Sequence, residues 1–406
     1  RGKWCVYPNF KEIEKYNKVV RAGNFEIFKA SLQQRGLGHL ADSFVQASGK
    51  LQVLCYKADI EAALRTRNFG GFQLLDLHDF PGQGTALIGI LDPFWDQKGY
   101  VAPAEFTSFC NSTVPLARIK KFIWTNRATF SASIELANYG PNTLISSSVV
   151  WKISDVSGNV LVSGRFLPKD YPSGDIHEAG KLSYALYPIG NAKKLVLEVS
   201  AGNFTNRWDF WVYPAERDEI ENVNTIRIVQ ELTDEIVTFL QQGGSVLLNI
   251  KQGNLNPETG GDILAGFSSI FWNTAWTNGQ APHTLGILCD PGHPALSEFP
   301  TEFYSNWQWW DAMSHAGAID IGTFQVDLKP IVRIIDDWFT NRSLALIFEA
   351  KVGSGRILVS GVDLGTNLDR RPEAQQLLYS LKKYMAGNSF TPELTLEADE
   401  IRKLLR

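Results

Sequence analysis

Gly70-Gly71-Phe72-Gln73-Leu74-Leu75-Asp76-Leu77-His78-Asp79-Phe80 is the stretch on which the fold turns. Apolar residues run through it to Leu77 and polar ones gather at its end. It predicts a buried strand, closed by the turn Pro81-Gly82-Gln83-Gly84. Ahead of it, residues 50–67 carry Leu51, Leu54, Cys55, Ala58, Ala62 and Leu64 as one apolar stripe, which predicts an amphipathic helix. A helix followed by a buried strand with polar residues at its carboxyl end is the unit of a (β/α) barrel, and active sites sit at that end. Asp76, His78 and Asp79 therefore fall where such a barrel presents functional side chains. Residues 12–20 and 24–35 read as shorter helices, the second with Asn24 as N-cap and Phe25, Phe28 and Leu32 on one face.

Downstream the period changes twice. Residues 130–136, 147–153, 159–162, 194–199 and 207–213 alternate apolar and polar side chains. Turns such as Tyr139-Gly140-Pro141-Asn142 and Ser157-Gly158-Asn159 separate them, which predicts an all-β sandwich of immunoglobulin type. Beyond residue 217, helical patterns at 233–242 and 371–385 accompany continuous apolar runs at 245–250, 342–349 and 356–361. That predicts an open α/β sheet. The expected divisions are 1–119 for the end of a barrel, 120–216 for the sandwich and 217–406 for a Rossmann-like α/β domain with a helical tail.

The chain has 406 residues and a net charge of −4, with lysines and arginines scattered among acids. Nothing there points to nucleic acid or to an anionic membrane. No apolar run reaches the length of a membrane-spanning helix. The abrupt opening Arg1-Gly2-Lys3-Trp4 predicts a truncation or processing point. Cys5, Cys55, Cys110 and Cys289 form no Cys-x-x-Cys pair, so buried free thiols are expected, no metal site is, and a disulfide stays open. The 12 tryptophans serve core packing first. A flat apolar indole also covers the C–H face of a pyranose.

Glu12, Glu14, Glu26, Asp59 and Glu61 sit on helical patterns and read as solvated faces. Asp76 and Asp79 lie three apart on one strand, so they point to opposite faces and make a poor facing pair. His78 has a second reading, held by Asp79 or by a backbone carbonyl, and Asp76 one in which an arginine pairs it. In Asn306-Trp307-Gln308-Trp309-Trp310, the densest aromatic stretch, Trp309 and Trp310 either cover a sugar or pack between domains. Val352-Gly353-Ser354-Gly355-Arg356 precedes a strand and not a helix, so it reads as a turn and not a phosphate loop. Cys289 stands in no nucleophile-elbow context.

The run from Gly70 to Asp79 resembles the eighth barrel strand of family-two glycoside hydrolases, and Phe72 to Gly84 is similar to that of large bacterial β-galactosidase-like members. Asp96-Gln97-Lys98-Gly99-Tyr100 to Pro103, Glu105-Phe106 and Val114-Pro115-Leu116 are similar to the family's last barrel helix and its exit toward a β-sandwich. The third segment looks like the amidotransferase-like or flavodoxin-like α/β domain found behind some β-galactosidases. The resemblance implies a retaining exo-glycosidase that needs two carboxyl groups. It places the nucleophilic Glu just upstream of residue 1 and the acid/base Glu further upstream, so no catalytic residue is assigned within the chain. It also implies that Asp76, His78 and Asp79 line the sugar pocket. A leucine, Leu74 or Leu75, stands where the family carries a platform tryptophan, and Trp4 and Trp95 are candidates to replace it. A carbohydrate is the implied partner, no cofactor is implied, and a periplasmic or secreted bacterial location is expected. Self-association through the C-terminal domain stays open, as does a non-catalytic carbohydrate-binding or assembly module.

Overall fold

The computed structural model describes residues 5–80, 86–263, 265, 284–324 and 326–406. The chain is a multidomain α/β protein with several open sheets. It divides into two compact units: Arg1–Gln52 with Leu75–Tyr100 and Asp218–Arg406, and Val53–Leu74 with Val101–Arg217.

Four helices precede the first sheet: α1 (Glu12–Tyr16), α2 (Gly23–Gln34), α3 (Ala41–Leu64) and α4 (Pro103–Thr107). Phe25, Phe28 and Leu32 form the buried face of α2, as their spacing predicts. Its cap is Ala22, so Asn24 lies in the first turn. α3 begins nine residues before the apolar stripe suggested and runs through Gly49, a poor helix former. The glycine is there for room: a Cβ would sit 2.2 Å from Cδ1 of Tyr100.

The strand expected at residues 70–80 does not form. Only isolated bridges involve it, His78 with Leu91 and Phe80 with Ala86. Leu75 and Leu77 are exposed, so the apolar run is not a buried one. The backbone here bonds to its own following loop, Asp79 N–H to the Leu91 carbonyl and Ile90 N–H to the Leu77 carbonyl, both at 3.0 Å. Those local bonds satisfy groups that a sheet would otherwise have to pair. Among the described residues no sheet closes into a barrel.

The second unit holds β1 (Thr113–Ile119), β2 (Ile123–Thr125), β3 (Thr129–Asn138), β4 (Leu144–Ser147), β5 (Val149–Asp155), β6 (Val160–Arg165), β7 (Lys169–Tyr171), β8 (Asp175–Ala185), β9 (Lys193–Ala201) and β10 (Phe204–Tyr213). One sheet has the order β1-β3-β8, another β2-β10-β9-β5-β6, and β4 pairs with β7. Inward side chains of both larger sheets share one core: Phe130, Ile134 and Leu182 from one, Leu197, Trp208 and Phe210 from the other. The rings of Phe130 and Phe210 stack at 4.2 Å between centroids. The last turns of α3 join this unit through a buried polar knot. Glu61, expected on a solvated face, is 3% exposed. It accepts from Lys57, from Arg65 at 2.6 Å, from Asn206 at 2.9 Å and from the Trp208 indole at 2.9 Å. Burial alone would raise its pKa. Lys57 and Arg65 outweigh burial and hold the carboxyl below its usual range.

The remaining sheet belongs to the first unit. Its elements are β11 (Ile226–Val229), α5 (Asp234–Gln241), β12 (Ser245–Asn249), β13 (Ile287–Cys289), α6 (Trp309–Ser314), β14 (Ile319–Asp320), β15 (Val332–Ile334), β16 (Leu344–Val352), β17 (Gly355–Ser360), α7 (Pro372–Ala386) and α8 (Ala398–Arg402). The order β11-β12-β17-β16-β15-β13 combines three parallel strands with antiparallel ones, so the open sheet is mixed. Thr233 caps α5 by accepting from Ile236 N–H. Leu240, Val246, Leu248, Phe348, Ile357 and Val359 lie in its core. Val352–Gly355 closes the β16–β17 hairpin, the turn its glycines predicted.

Candidate functional site

Asp79 organises the segment Leu75–Tyr100. Its carboxylate is 2.6 Å from Lys98 Nζ, with both side chains almost fully buried, and accepts from the Gly89 N–H at 2.8 Å. Lys98 also donates to the Gly89 carbonyl at 2.8 Å, which the Tyr100 hydroxyl reaches at 3.0 Å. Tyr100 donates in turn to Gln52 of α3 at 2.8 Å. Residue 89 crosses against the His78–Asp79 peptide so closely that a Cβ would lie 2.1 Å from the His78 carbonyl carbon. Only glycine permits that crossing.

Burial pushes the Asp79 pKa up, and Lys98 and the Gly89 amide oppose the shift. A second carboxyl shares the neighbourhood. Glu12 on α1, read from sequence as solvated, is 1% exposed, and neither of its oxygens has a hydrogen-bond partner among the described residues. Burial raises its pKa to about 8, with Lys98 lowering it and Asp79 and Asp92 raising it further. One buried ammonium thus serves two buried carboxyls, a setting in which one of the two keeps its proton at neutral pH. Lys15 bonds Asp92 and, at 2.7 Å, Asp96.

Beside this cluster is a cavity of ≈ 350 Å³, lined by Tyr16, Arg21, Asn24, Phe25, Asp79 and Phe80 among others. One residue before Asp79, His78 holds its Nδ1 against the Asp79 carbonyl at 2.7 Å, the backbone-held arrangement that was one of its two readings. Its ring lies 4.7 Å from that of Trp95, and Trp95 is 62% exposed. Asp76 is half-buried and makes no hydrogen bond or ion pair with a described residue. The structure therefore brings the rings of His78 and Trp95 together, and of Asp76, His78, Asp79 and Trp95 it places Asp79 alone on the cavity lining.

Two of the expected sugar contacts are corrected. Asp79 is a buried, ion-paired anchor and not an open ligand for hydroxyls. Trp309 is fully buried, donates its indole N–H to Thr301 at 2.7 Å and packs edge-on to Phe299, so no ring face is open to a sugar. Trp310 is 54% exposed on α6 and does not line the cavity. Trp4 lies outside the described residues. Sequence reasoning missed Tyr16, Arg21 and Lys98. For Tyr16 the available signal was its four-residue spacing from Glu12, which sets both on one side of α1.

The class the fold defines is a two-sheet β unit joined in one chain to a mixed α/β unit that carries a polar, aromatic-walled cavity. Residues 227–406 match the family model of a domain of unknown function (DUF8487), and residues 128–214 match that of another (DUF8488). No curated protein matches the chain. Among solved structures, 34% of the chain is similar to 21% of a β-glucuronidase from Parabacteroides merdae, at 11% identity and a TM-score of 0.19. A further likeness joins 25% of the chain to 15% of a β-glucosidase from Erythrobacter marinus, at 8% identity and a TM-score of 0.20. Another joins 27% of it to 33% of an alkylpurine DNA glycosylase from Pseudomonas fluorescens, at 9% identity and a TM-score of 0.21. The chain covers a third or less of each of these proteins. The resemblance to glycoside hydrolase domains is weak and partial, and it assigns no function.

Proposed function

We propose that this chain binds carbohydrate as part of a β-galactosidase-like glycoside hydrolase. The observation that carries the reading is the cavity walled by Phe25 and Phe80 and polar at Tyr16, Arg21 and Asn24, with His78, whose ring pairs with that of Trp95, adjacent to Asp79 in the chain. Ligand sites combine apolar walls with a few fixed polar groups in this way. Trp95 offers the ring face, Asp76 an open carboxylate for hydroxyls, and the Asp79–Lys98 pair holds the segment in register. In this reading residues 217–406 form an amidotransferase-like domain. Residues 120–216 are immunoglobulin-like, a reading supported by the two sheets β1-β3-β8 and β2-β10-β9-β5-β6 over one core, with β1 (Thr113–Ile119) added from just ahead of that range.

A second reading is binding without turnover, because no catalytic residue is assigned within the chain and Asp79, buried against Lys98, is not placed to attack or protonate a glycoside. Calorimetry of the full chain with galactose and glucose tests the first proposal. Saturable binding is expected, weakened about tenfold or more in Trp95→Ala through loss of the aromatic surface. Unchanged affinity in that variant removes Trp95 from the site. Release of aryl alcohol from an aryl β-galactoside, abolished by Asp76→Asn, would decide against the binding-only reading.

A further inference from the structure

The charges around the cavity are unequal, and the inequality has a direction. Arg21, the cation on its wall, is held by Glu26 at 2.8 Å. Lys98 is taken up by Asp79. Lys15 is shared between Asp92 and Asp96. Among the described residues these three cations are paired with four carboxylates, Glu12 adds a fifth carboxyl, and of them all Arg21 and Asp79 line the cavity itself. Tyr16 lines the cavity and senses this environment directly. Its hydroxyl is held well above the usual phenol range by burial first, and then by Glu12, Asp79 and Asp92, all three of them acids.

We infer that the cavity selects its ligand by charge, taking a sugar that carries an ammonium group in preference to the neutral sugar and excluding one that carries a carboxylate. The inference rests on the carbohydrate reading above and adds the charge class of the ligand. Among the described residues, an incoming carboxylate meets one cation on the wall, Arg21, which must first leave Glu26, and it adds repulsion from the acids behind the wall. An incoming ammonium finds the opposite field. Arg21 is the residue that sets the balance, because Glu26 neutralises it where it meets the cavity.

Three sugars of one ring geometry make the test: galactosamine, galactose and galacturonate, titrated into the full chain by calorimetry at low and at high salt. Galactosamine is expected to bind tightest and galacturonate weakest, about tenfold or more apart at low salt and closer at high salt. In Glu26→Gln the freed Arg21 is expected to narrow the gap between galactose and galacturonate by several-fold. Galacturonate binding as tightly as galactose, or Glu26→Gln leaving the ratios unmoved, overturns the charge selection and leaves the carbohydrate reading standing. Saturable binding by none of the three overturns both.

Discussion

Glu61→Ala is expected to destabilise the β unit by about 3–5 kcal/mol, the cost of breaking a buried ion pair by deleting one partner. The carboxylate ties Lys57 of α3 and Arg65 just past its end to Asn206 and Trp208 of β10. Its removal leaves the Lys57 ammonium buried with Asn206 alone of the knot's acceptors. It also strips the Trp208 indole N–H of its acceptor, and stranded buried donors cost about 1–3 kcal/mol each. Glu61→Gln is the informative companion. It keeps the shape and one of the two bonds to neutral donors, since Asn206 and Trp208 use different oxygens and an amide has only one, while removing the charge, so it should fall between wild type and alanine. Urea melts of the three proteins at one pH are the measurement. Equal midpoints for wild type and Glu61→Ala would show that the knot contributes nothing net.

The second large effect is a pH dependence from Glu12. Its folded pKa of about 8 lies well above the ordinary 4.5. Between those values the folded chain holds a proton that the unfolded chain has released. Stability from this group is therefore complete below about pH 4.5 and is lost as pH rises through about 8. Each unit of displacement is worth about 1.4 kcal/mol, so the total is roughly 3–6 kcal/mol. Glu12→Gln cannot ionise. Between pH 5 and 9 its stability should decline less than that of wild type by that amount, the curves converging at the acid end. Chemical melts at pH 5, 7 and 9 read the difference, and parallel curves would mean that Glu12 ionises normally in the folded state.

How much of this was visible in the residues alone depends on the type of signal. The alternation at 130–136 and 194–199 names strands because a two-sheet core buries every second side chain, and both appear in place. β8 was not visible. Gly180 interrupts its pattern, with Phe166 over the bare Cα, and a register shift opposite Ile134 and Glu135 breaks the alternation further. The site was less legible than the fold. Glu12 and Glu61 are charged residues on helices, and local pattern alone places such residues in water. Both are buried against residues far along the chain: Glu61 bonds Asn206 and Trp208, whereas Glu12 feels Lys98 only through its charge. Trp309 and Trp310 show the converse. Neighbours in sequence, they divide between core and surface according to the faces of α6. The strand reading of residues 70–80 failed because an apolar run records what could be buried and says nothing of which backbone will pair with it.

The sparse backbone pairing of that same segment has a consequence for its amide protons. Strands β12, β16 and β17 are buried and bonded along their length, so their N–H groups exchange with solvent only through extensive unfolding. The backbone on the N-terminal side of Asp79 holds few such bonds, and its amides exchange through small local openings. A ligand that orders Asp76 and His78 would slow those exposed amides first, while the already protected sheet would barely register its arrival.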